Sequence, residues 1–240
     1  MKPILLVHGA WHGGWSWAGL QAALDARGVP SYALDLPGHG ASTEPFTDLH
    51  GDARHVAAAV DRLADRTSDE VVLVGHSYGG AVVSQAAAWT SHVASLVYVA
   101  AFVLHHGDSM RRITALVDVP EEPPSLLGTA RRREGDLLLL DPLAAIPALY
   151  GNAPALMQHA AAARIEPQPV ASFVQAVEGD GATTAPSAYV RCTHDLCVPL
   201  SHQDAMAASC THVYTLAADH CPMLSAPDEL AELLAAIATA

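Results

Sequence analysis

Gly75-His76-Ser77-Tyr78-Gly79 joins two contrasting patterns in this chain of 240 residues. Residues 71–74 before it form an apolar run typical of a buried strand, and residues 81–88 after it form a small-residue run typical of a closely packed helix. The glycines two positions before and after the serine allow a sharp, strained turn that lifts the hydroxyl out of the sheet edge. This context predicts that Ser77 is a nucleophile.

The composition favours a compact enzyme. Hydrophobic residues make up 51% of the chain and charged residues 15%, which excludes a disordered protein. No Ser/Gly-rich or like-charge linker divides the sequence, so we expect one domain. Lys and Arg number 12 against 25 Asp and Glu, and the net charge of −13 argues against nucleic acid or an anionic membrane as partner. We expect the basic cluster 131–133 on the solvated face of a helix.

The start of the chain and its cysteines favour a cytoplasmic protein. Residues 1–7 contain too few apolar positions for a signal peptide or a membrane helix. All four cysteines lie in the last fifty residues, which favours free thiols over a disulfide framework. We predict no metal site, because the possible ligands match no usual zinc spacing. Those ligands are Cys192, His194, Cys197, His220 and Cys221.

Strand-like and helix-like segments alternate along most of the chain. The predicted strands are 3–7, 31–35, 71–74, 95–103, 187–192 and 212–216. The predicted helices are 17–26, 50–65, 81–88, 201–208 and a closing helix from Pro227. Because strands that alternate with helices pair in parallel, we expect the α/β class, with a mostly parallel twisted sheet flanked by helices.

A different pattern interrupts the alternation at residues 105–185. Helical pieces here are punctuated by prolines, among them Pro120, Pro123 and Pro124. We therefore predict a helical lid insertion at 105–185 within an α/β core formed by residues 1–104 and 186–240. The four-leucine run 137–140 fits a buried helix face better than a strand.

A serine hydroxyl is a poor nucleophile at neutral pH and needs a neighbouring base. His220 is the best candidate, because it follows the predicted strand 212–216 through a short loop and precedes a helix. Catalytic groups gather at the carboxyl ends of parallel strands.

The base in turn needs an acid to orient it. Asp195 follows the strand 187–192, which gives the chain order Ser77, Asp195, His220 of one known triad arrangement. Asp108 is the rival acid, because it follows the strand 95–103. We expect Asp219 to cap its own loop.

Attack on a carbonyl also needs two backbone donors for the oxyanion. The amide of Tyr78, directly after the nucleophile, is the first. The second is expected in the loop after the first strand, where Gly9 allows a turn that aims the amide of Ala10 at Ser77.

With these residues in place, the sequence resembles the α/β-hydrolase family, and within it a small esterase group that includes plant methyl esterases and hydroxynitrile lyases. The matching motifs are His8-Gly9-Ala10-Trp11-His12-Gly13-Gly14-Trp15, Asp35-Leu36-Pro37-Gly38-His39-Gly40, Gly75-His76-Ser77-Tyr78-Gly79-Gly80, Arg191-Cys192-Thr193-His194-Asp195, and Asp219-His220 before Ser225-Ala226-Pro227. The resemblance implies a triad of Ser77, Asp195 and His220, an oxyanion hole at Ala10 and Tyr78, and no metal or organic cofactor.

Two departures separate the chain from the hydroxynitrile lyases it resembles. Those enzymes place a threonine after the first histidine and a lysine after the catalytic one, where this chain has Gly9 and Cys221. A cysteine cannot supply a fixed positive charge, so the esterase branch fits better. Many relatives also carry a tryptophan shortly before the sixth strand, and residues 179–185 contain none.

The substrate pocket is predicted from apolar residues near these motifs. Gly9, Trp11 and Met223 are the main candidates, with core packing an equal alternative for Trp15 and Trp17. Further residues expected to form an apolar wall are Leu224, Leu126, Leu127, Leu156 and Met157.

Three hypotheses follow for function. The leading one is a hydrolase that cleaves a small, largely apolar or aryl carboxylic ester through an acyl-enzyme on Ser77. The second is a lyase, cyclase or isomerase of secondary metabolism that uses His220 as a base without acylation. The third is a non-catalytic receptor, which an intact triad argues against. A small-molecule ester is thus the expected partner, and the sequence leaves a homodimer open.

Overall fold

We describe a computed structural model of the protein that covers residues 1–116 and 125–239. Pro120, Pro123 and Pro124, which contribute to the predicted proline pattern of the insertion, lie outside the described residues. Of the helices in the described ranges, none is long and apolar enough to cross a membrane.

The strands of the described residues form two sheets. Those of the larger sheet are β1 (Ile4–Val7), β2 (Ser31–Leu34), β3 (Val71–His76), β4 (Val93–Val99), β8 (Ser187–Cys192) and β9 (His212–Leu216). Those of the smaller sheet are β5 (Arg131–Glu134), β6 (Leu137–Leu140) and β7 (Gln168–Pro169). The larger sheet is parallel throughout and has the strand order β2-β1-β3-β4-β8-β9.

Helices flank the larger sheet and make up much of the insertion. They are α1 (Ala18–Asp25), α2 (Leu49–Thr67), α3 (Tyr78–Ala86), α4 (Met110–Leu116), α5 (Leu127–Ala130), α6 (Pro142–Leu149), α7 (Ala155–Ala162), α8 (Ala171–Val174), α9 (Leu200–Ala207), α10 (Pro222–Ser225) and α11 (Pro227–Thr239). Short 3-10 helices span Gly14–Trp17 and Gly181–Thr183. The predicted α/β class with a parallel sheet flanked by helices is confirmed.

The longest helix, α2, shows how the sequence specifies these elements. The Asp48 side chain accepts a hydrogen bond from the Gly51 amide at 2.9 Å and caps the first turn. Val56, Val60 and Leu63 recur at helical spacing and are fully buried, so one face of α2 packs into the core. The helix ends at Ser68, whose φ of +56° turns the chain away.

The apolar run predicted as the strand 95–103 is a strand only up to Val99. Ala100 has a φ of +44°, which ends the strand, and the buried residues after it pack around the turn at Ser77. The Phe102 amide donates to the Ser77 carbonyl at 3.1 Å. Burial was therefore predicted correctly here, whereas the backbone conformation was not.

The insertion contains strands that the sequence pattern did not predict. The run 137–140 is strand β6, antiparallel to β5 and β7, so the prediction of a helix face is wrong. The basic cluster 131–133 is exposed as predicted but lies on strand β5 rather than a helix. Gly135, with φ +58°, and Asp136 make a two-residue turn between these strands, and this turn selects a hairpin over a helix.

The parallel sheet brings the proposed site residues to one edge. The loops that carry Ala10, Ser77, Asp195 and His220 leave the carboxyl ends of β1, β3, β8 and β9 respectively. In a parallel sheet these ends all face the same way, so four segments distant in sequence converge there.

The start of α3 packs directly against the end of β1. A Cβ atom at Gly79 would lie 2.5 Å from the Val7 carbonyl oxygen and 2.7 Å from that of His8. Both atoms belong to the backbone and cannot move aside, so only glycine fits between the two elements.

We expect Gly79→Ala to lower the free energy of unfolding by about 1–3 kcal/mol or more, because the methyl group forces the helix away from the strand. Urea denaturation followed by circular dichroism measures the change. Gly128→Ala is the matched control, since Gly128 lies in helix α5 and an added Cβ there meets no neighbouring atom of the described residues within 4 Å. Equal stabilities of the two variants would contradict this account of the packing.

Candidate active site

Ser77 occupies a strained turn between β3 and α3. Its φ of +51° and ψ of −119° are rare for a residue with a side chain and cost of order 1–3 kcal/mol. Hydrogen bonds from the amides of Gly80 and Phe102 to the Ser77 carbonyl, at 3.0 and 3.1 Å, hold this geometry. The residue is 8% exposed, and within residues 1–116 and 125–239 its hydroxyl has no hydrogen-bond partner.

His220 and Asp195 form a buried pair. His220 Nδ1 donates to Asp195 Oδ2 at 2.8 Å, which fixes the imidazole orientation and leaves Nε2 without the proton in the neutral ring. The other carboxylate oxygen accepts from the amides of Cys197 and Val198 at 2.7 and 2.8 Å. Burial alone would lower the pKa of His220, but the Asp195 carboxylate outweighs it and holds that pKa well above the usual histidine range.

Gln203, which the sequence reasoning missed, holds the loop that carries Asp195. Its amide group is fully buried and donates to the Val198 carbonyl at 2.9 Å and to Asp195 Oδ2 at 3.3 Å. A polar residue inside helix α9 carried no local signal of this role.

The two other acids considered from sequence have different partners. Asp108 accepts a hydrogen bond from the His105 amide at 3.2 Å and lies 3.8 Å from Arg112. Its partners therefore lie at the start of the insertion, whereas the carboxylate that pairs with His220 is that of Asp195. Asp219 caps its own loop, accepting from the Cys221 amide at 3.1 Å. Its second oxygen accepts from the Asn152 amide at 2.8 Å and so connects the loop to the insertion.

His76 links the nucleophile turn to the base, a contact that the sequence reasoning missed. Its Nε2 donates to the backbone carbonyl of His220 at 2.8 Å. Burial, and then the nearby His220 charge, hold the pKa of His76 well below the usual range, so its ring is neutral. The residue directly before the nucleophile therefore positions the loop of the base.

The loop after β1 lies against Ser77. A Cβ atom at Gly9 would come 2.8 Å from His76 Nδ1 and 3.0 Å from Ser77 Cβ, so a larger residue does not fit here without displacing the nucleophile. Ala10 and Tyr78 directly follow Gly9 and Ser77 in the chain. Within the described ranges, neither of their amides donates a hydrogen bond. Two unpaired backbone donors next to a serine are what an oxyanion hole requires.

The insertion holds this loop in place through Trp11. Trp11 has a φ of +64°, which is unusual for a bulky residue. Its amide donates to Gln168 Oε1 at 3.2 Å, its indole Nε1 to the Leu138 carbonyl at 3.0 Å, and its carbonyl accepts from Glu166 N at 3.0 Å. Gln168, fully buried, is a further positioning residue that sequence reasoning did not find.

Two buried neutral histidines brace the same loop. His8 Nδ1 donates to the Gly9 carbonyl at 2.8 Å, and its Nε2 accepts from the Leu36 amide at 3.1 Å. His12 Nδ1 donates to the Ala10 carbonyl at 2.7 Å, and its Nε2 accepts from the Tyr150 hydroxyl at 2.6 Å. Burial lowers the pKa of His8 to about 3 and that of His12 to about 4.

The residues predicted to line the pocket differ in exposure. Trp11 is 4% exposed, and its ring is tilted against that of Phe173 in the insertion, with ring centroids 5.5 Å apart. Met223 and Trp17 have no exposed surface and belong to the core in this conformation. Leu156 is 86% exposed, so its predicted place in an apolar wall is wrong.

Of the five residues sketched from sequence as possible metal ligands, three have other surroundings. His194 Nδ1 accepts from the Asn152 side chain at 2.8 Å, and Cys192 is buried beside Ala218. Cys221 is also buried, which raises the pKa of its thiol well above the usual range and leaves no charge beside His220. The remaining two, Cys197 and His220, lie together in a cluster with Asp195.

Comparisons with known proteins agree with the fold. The sequence model of the alpha/beta hydrolase family matches residues 4–233. Methylesterase 7 from Arabidopsis thaliana is 29% identical, with 99% of this chain and 96% of that protein covered. A carbendazim hydrolyzing esterase from Nocardioides sp. (strain SG-4G) is 34% identical over 129 residues, which is only 53% of each chain. The crystal structure of a pyrethroid hydrolase from Sphingobium faniae JZ-2 has a TM-score of 0.85 at 26% identity and covers 100% of this chain and 98% of that one.

The buried histidines predict how stability changes with pH. His8 and His12 stay neutral in the folded protein, whereas they take up protons near pH 6.5 when unfolded. As pH falls from 6.5 to about 4, the unfolded state binds more protons, and each histidine lowers the free energy of unfolding by about 1.4 kcal/mol per pH unit. The carboxyl of Asp52, whose pKa burial raises to about 6, acts in the opposite direction.

Comparison of variants isolates this effect. His12→Asn keeps a donor towards the Ala10 carbonyl but cannot titrate, so the slope of unfolding free energy against pH between 6.5 and 4 falls by about 1.4 kcal/mol per unit. Urea denaturation at several pH values measures the slope. His212→Asn, at an exposed position on β9, is the control for the loss of an imidazole elsewhere in the chain. A slope unchanged in His12→Asn would disprove the neutral buried state of His12.

Proposed function

Since the chain belongs to the alpha/beta hydrolase family, we propose that it is a carboxylic-ester hydrolase with Ser77 as nucleophile, His220 as base and Asp195 as orienting acid. The observation that carries this proposal is the buried 2.8 Å hydrogen bond between His220 and Asp195, at the same sheet edge as the strained turn of Ser77. The full-length similarity to methylesterase 7 supports ester hydrolysis and the esterase branch.

Acylation begins with the Ser77 hydroxyl, which attacks the ester carbonyl carbon while its proton passes to His220 Nε2. The carbonyl oxygen becomes an oxyanion that accepts from the amides of Ala10 and Tyr78. When the tetrahedral intermediate collapses, the bond to the alcohol breaks, and His220 returns its proton to the leaving alkoxide. The acyl group remains on Ser77.

Deacylation repeats these steps with water. His220 Nε2 takes a proton from water as the oxygen attacks the acyl carbon, and it then protonates Ser77 Oγ as the acid leaves. The base must be neutral at the start of each half. Because Asp195 raises the pKa of His220, activity is expected to rise with pH as the imidazolium loses its proton.

The substrate is proposed to be a small, largely apolar or aryl ester. Trp11 and Tyr78 each lie near Phe173 of the insertion, with ring centroids 5.5 and 6.1 Å apart, and so form an aromatic cluster beside the proposed oxyanion hole. Such rings favour apolar and aryl groups over charged ones. Two related proteins are named for the hydrolysis of carbendazim and of pyrethroids.

We propose that residues 105–185 act as the lid of this site. Tyr150 donates to His12, the Asn152 amide donates to Asp219, and Gln168 accepts from Trp11, so the insertion contacts loops that follow β1 and β9. These contacts support a cover over the carboxyl edge of the sheet. We also propose that the protein is cytoplasmic.

Chemistry without acylation is the second candidate, as in a lyase, cyclase or isomerase that uses only His220. The observation that favours it is the Ser77 hydroxyl, which makes no hydrogen bond to His220 within the described residues. Contacts of this kind often tighten only once substrate binds, so ester hydrolysis remains the better supported function. Cyanohydrin cleavage of the hydroxynitrile lyase kind is not favoured, because Cys221 is neutral and buried and offers no positive charge to the cyanide that leaves.

Active-site labelling tests the proposal. We expect a fluorophosphonate reagent to modify Ser77 alone, and Ser77→Ala to lose roughly a thousandfold or more of the turnover of nitrophenyl esters. Ser91→Ala, an exposed serine at the opposite edge of the sheet, keeps full turnover. Hydroxylamine trapping during turnover should yield a hydroxamate. If the protein turns over its substrate in the presence of hydroxylamine and no hydroxamate forms, the alternative in which His220 acts only as a base is favoured.

Substitution of Gln168 tests the proposed oxyanion loop. Gln168→Met removes the acceptor of the Trp11 amide, so the peptide after Ala10 loses its fixed orientation, and kcat should fall tenfold or more while KM changes little. Gln168→Glu keeps an acceptor oxygen and should recover most of kcat. Steady-state kinetics on nitrophenyl esters, with thermal melting to verify folding, measure both variants. A folded Gln168→Met protein with wild-type kcat would contradict this role.

A further inference from the structure

Cys197 lies beside the proposed base and acid, although no step of the mechanism uses it. It follows Asp195 by two residues, and its own amide donates to Asp195 Oδ1 at 2.7 Å, so the loop folds back on the acid. One donor atom from each of Asp195, Cys197 and His220 lies within 4.8 Å of the other two. Asp195 and His220 are buried, and Cys197 is half-buried.

These three side chains are a donor set suited to a zinc-like cation. A thiolate sulfur, an imidazole nitrogen and a carboxylate oxygen are the ligands that Zn²⁺ and Cd²⁺ take in proteins. Bonds of roughly 2.0–2.3 Å to a tetrahedral ion place ligand atoms roughly 3.3–3.7 Å apart, so shifts of about an ångström bring these donors into range. Water can supply the fourth ligand.

The other cysteines near the triad do not compete for this position. Cys221 is fully buried, and its sulfur faces His12 Nε2 at 4.0 Å. Cys192 is fully buried against Ala100 and Ala218. Cys197 therefore combines partial exposure with a position in the donor cluster.

From this cluster we infer an inhibitory cation site, in which Zn²⁺ or Cd²⁺ binds Asp195, Cys197 and His220 and switches the hydrolase off. The inhibition rests on the proposed function, whereas the binding does not. On binding, the Cys197 thiol loses its proton to solvent, and the thiolate and the carboxylate together balance the two positive charges of the ion.

Either nitrogen of His220 gives the same outcome. If Nε2 binds the ion, its lone pair is no longer available to accept the proton of Ser77. If Nδ1 binds the ion, the hydrogen bond to Asp195 breaks and the ring proton moves to Nε2, which then cannot act as a base. Both arrangements remove the base without any change to Ser77.

Inhibition is measured first with the intact protein. We expect micromolar ZnCl₂ or CdCl₂ to abolish nitrophenyl-ester turnover, and EDTA to restore it. In Cys197→Ser the concentration for half-inhibition, relative to that variant's own metal-free rate, should rise at least tenfold. Cys210→Ser, at a half-buried cysteine outside the cluster, is the matched control and should remain as sensitive as the wild type.

Binding is measured separately in Ser77→Ala protein, where activity plays no part. Titration with CdCl₂ should produce the ultraviolet charge-transfer band of a cadmium thiolate, with one ion per chain, and bound Cd²⁺ should protect Cys197 from iodoacetamide. Cys197→Ser should remove the band and Cys210→Ser should keep it.

The outcomes separate the two proposals. Absence of the band, its persistence in Cys197→Ser, or inhibition that is equal in wild type and Cys197→Ser would overturn the cation site. A band that depends on Cys197, in a wild-type protein that hydrolyses no ester, would support the cation site and overturn the proposed function instead.

Discussion

The contact on which the site depends is the backbone packing between the turn at Ser77 and the end of β1. Gly79 lies against the carbonyls of Val7 and His8, and Gly9 lies against Ser77, with no side chain at either position. The proposed oxyanion donors are the amides of Ala10 and Tyr78, the residues directly after Gly9 and Ser77. A single methyl group at either glycine would separate the nucleophile from the loop that is proposed to stabilise the oxyanion.

The strain at this contact is held by hydrogen bonds from distant parts of the chain. Ser77 and Trp11 both have positive φ angles, and neither would keep them in isolation. The Phe102 amide holds the Ser77 carbonyl, and Gln168 of the insertion holds the Trp11 amide. Besides its proposed role as a lid, the insertion therefore fixes the backbone of the proposed oxyanion loop.

Two neighbouring histidines differ in pKa because their surroundings differ. The rings of His76 and His220 are 4.7 Å apart, yet only His220 has a carboxylate on Nδ1. Burial keeps His76 neutral, whereas Asp195 raises the pKa of His220 and makes it the stronger base. The same carboxylate, with the Cys197 thiol beside it, is also what gives the base loop its affinity for a soft cation in our inference.

The sequence by itself determined the parallel sheet, the strand ends that carry Ser77, Asp195 and His220, and the glycines of the turn. These features depend on local patterns, since apolar runs, helical spacing and turn residues are read within a few positions. It did not determine that the run 137–140 is a strand, because four apolar residues fit a helix or a hairpin until partner strands select one. Nor did it reveal Gln168 or His76 as neighbours of the site, and it associated Cys197 with His220 only as possible zinc ligands without a usual spacing. Trp11 and Gln168 are 157 residues apart, and His76 and His220 are 144 apart, so only the tertiary structure brings them together, since a contact over such distances leaves no local pattern in the chain.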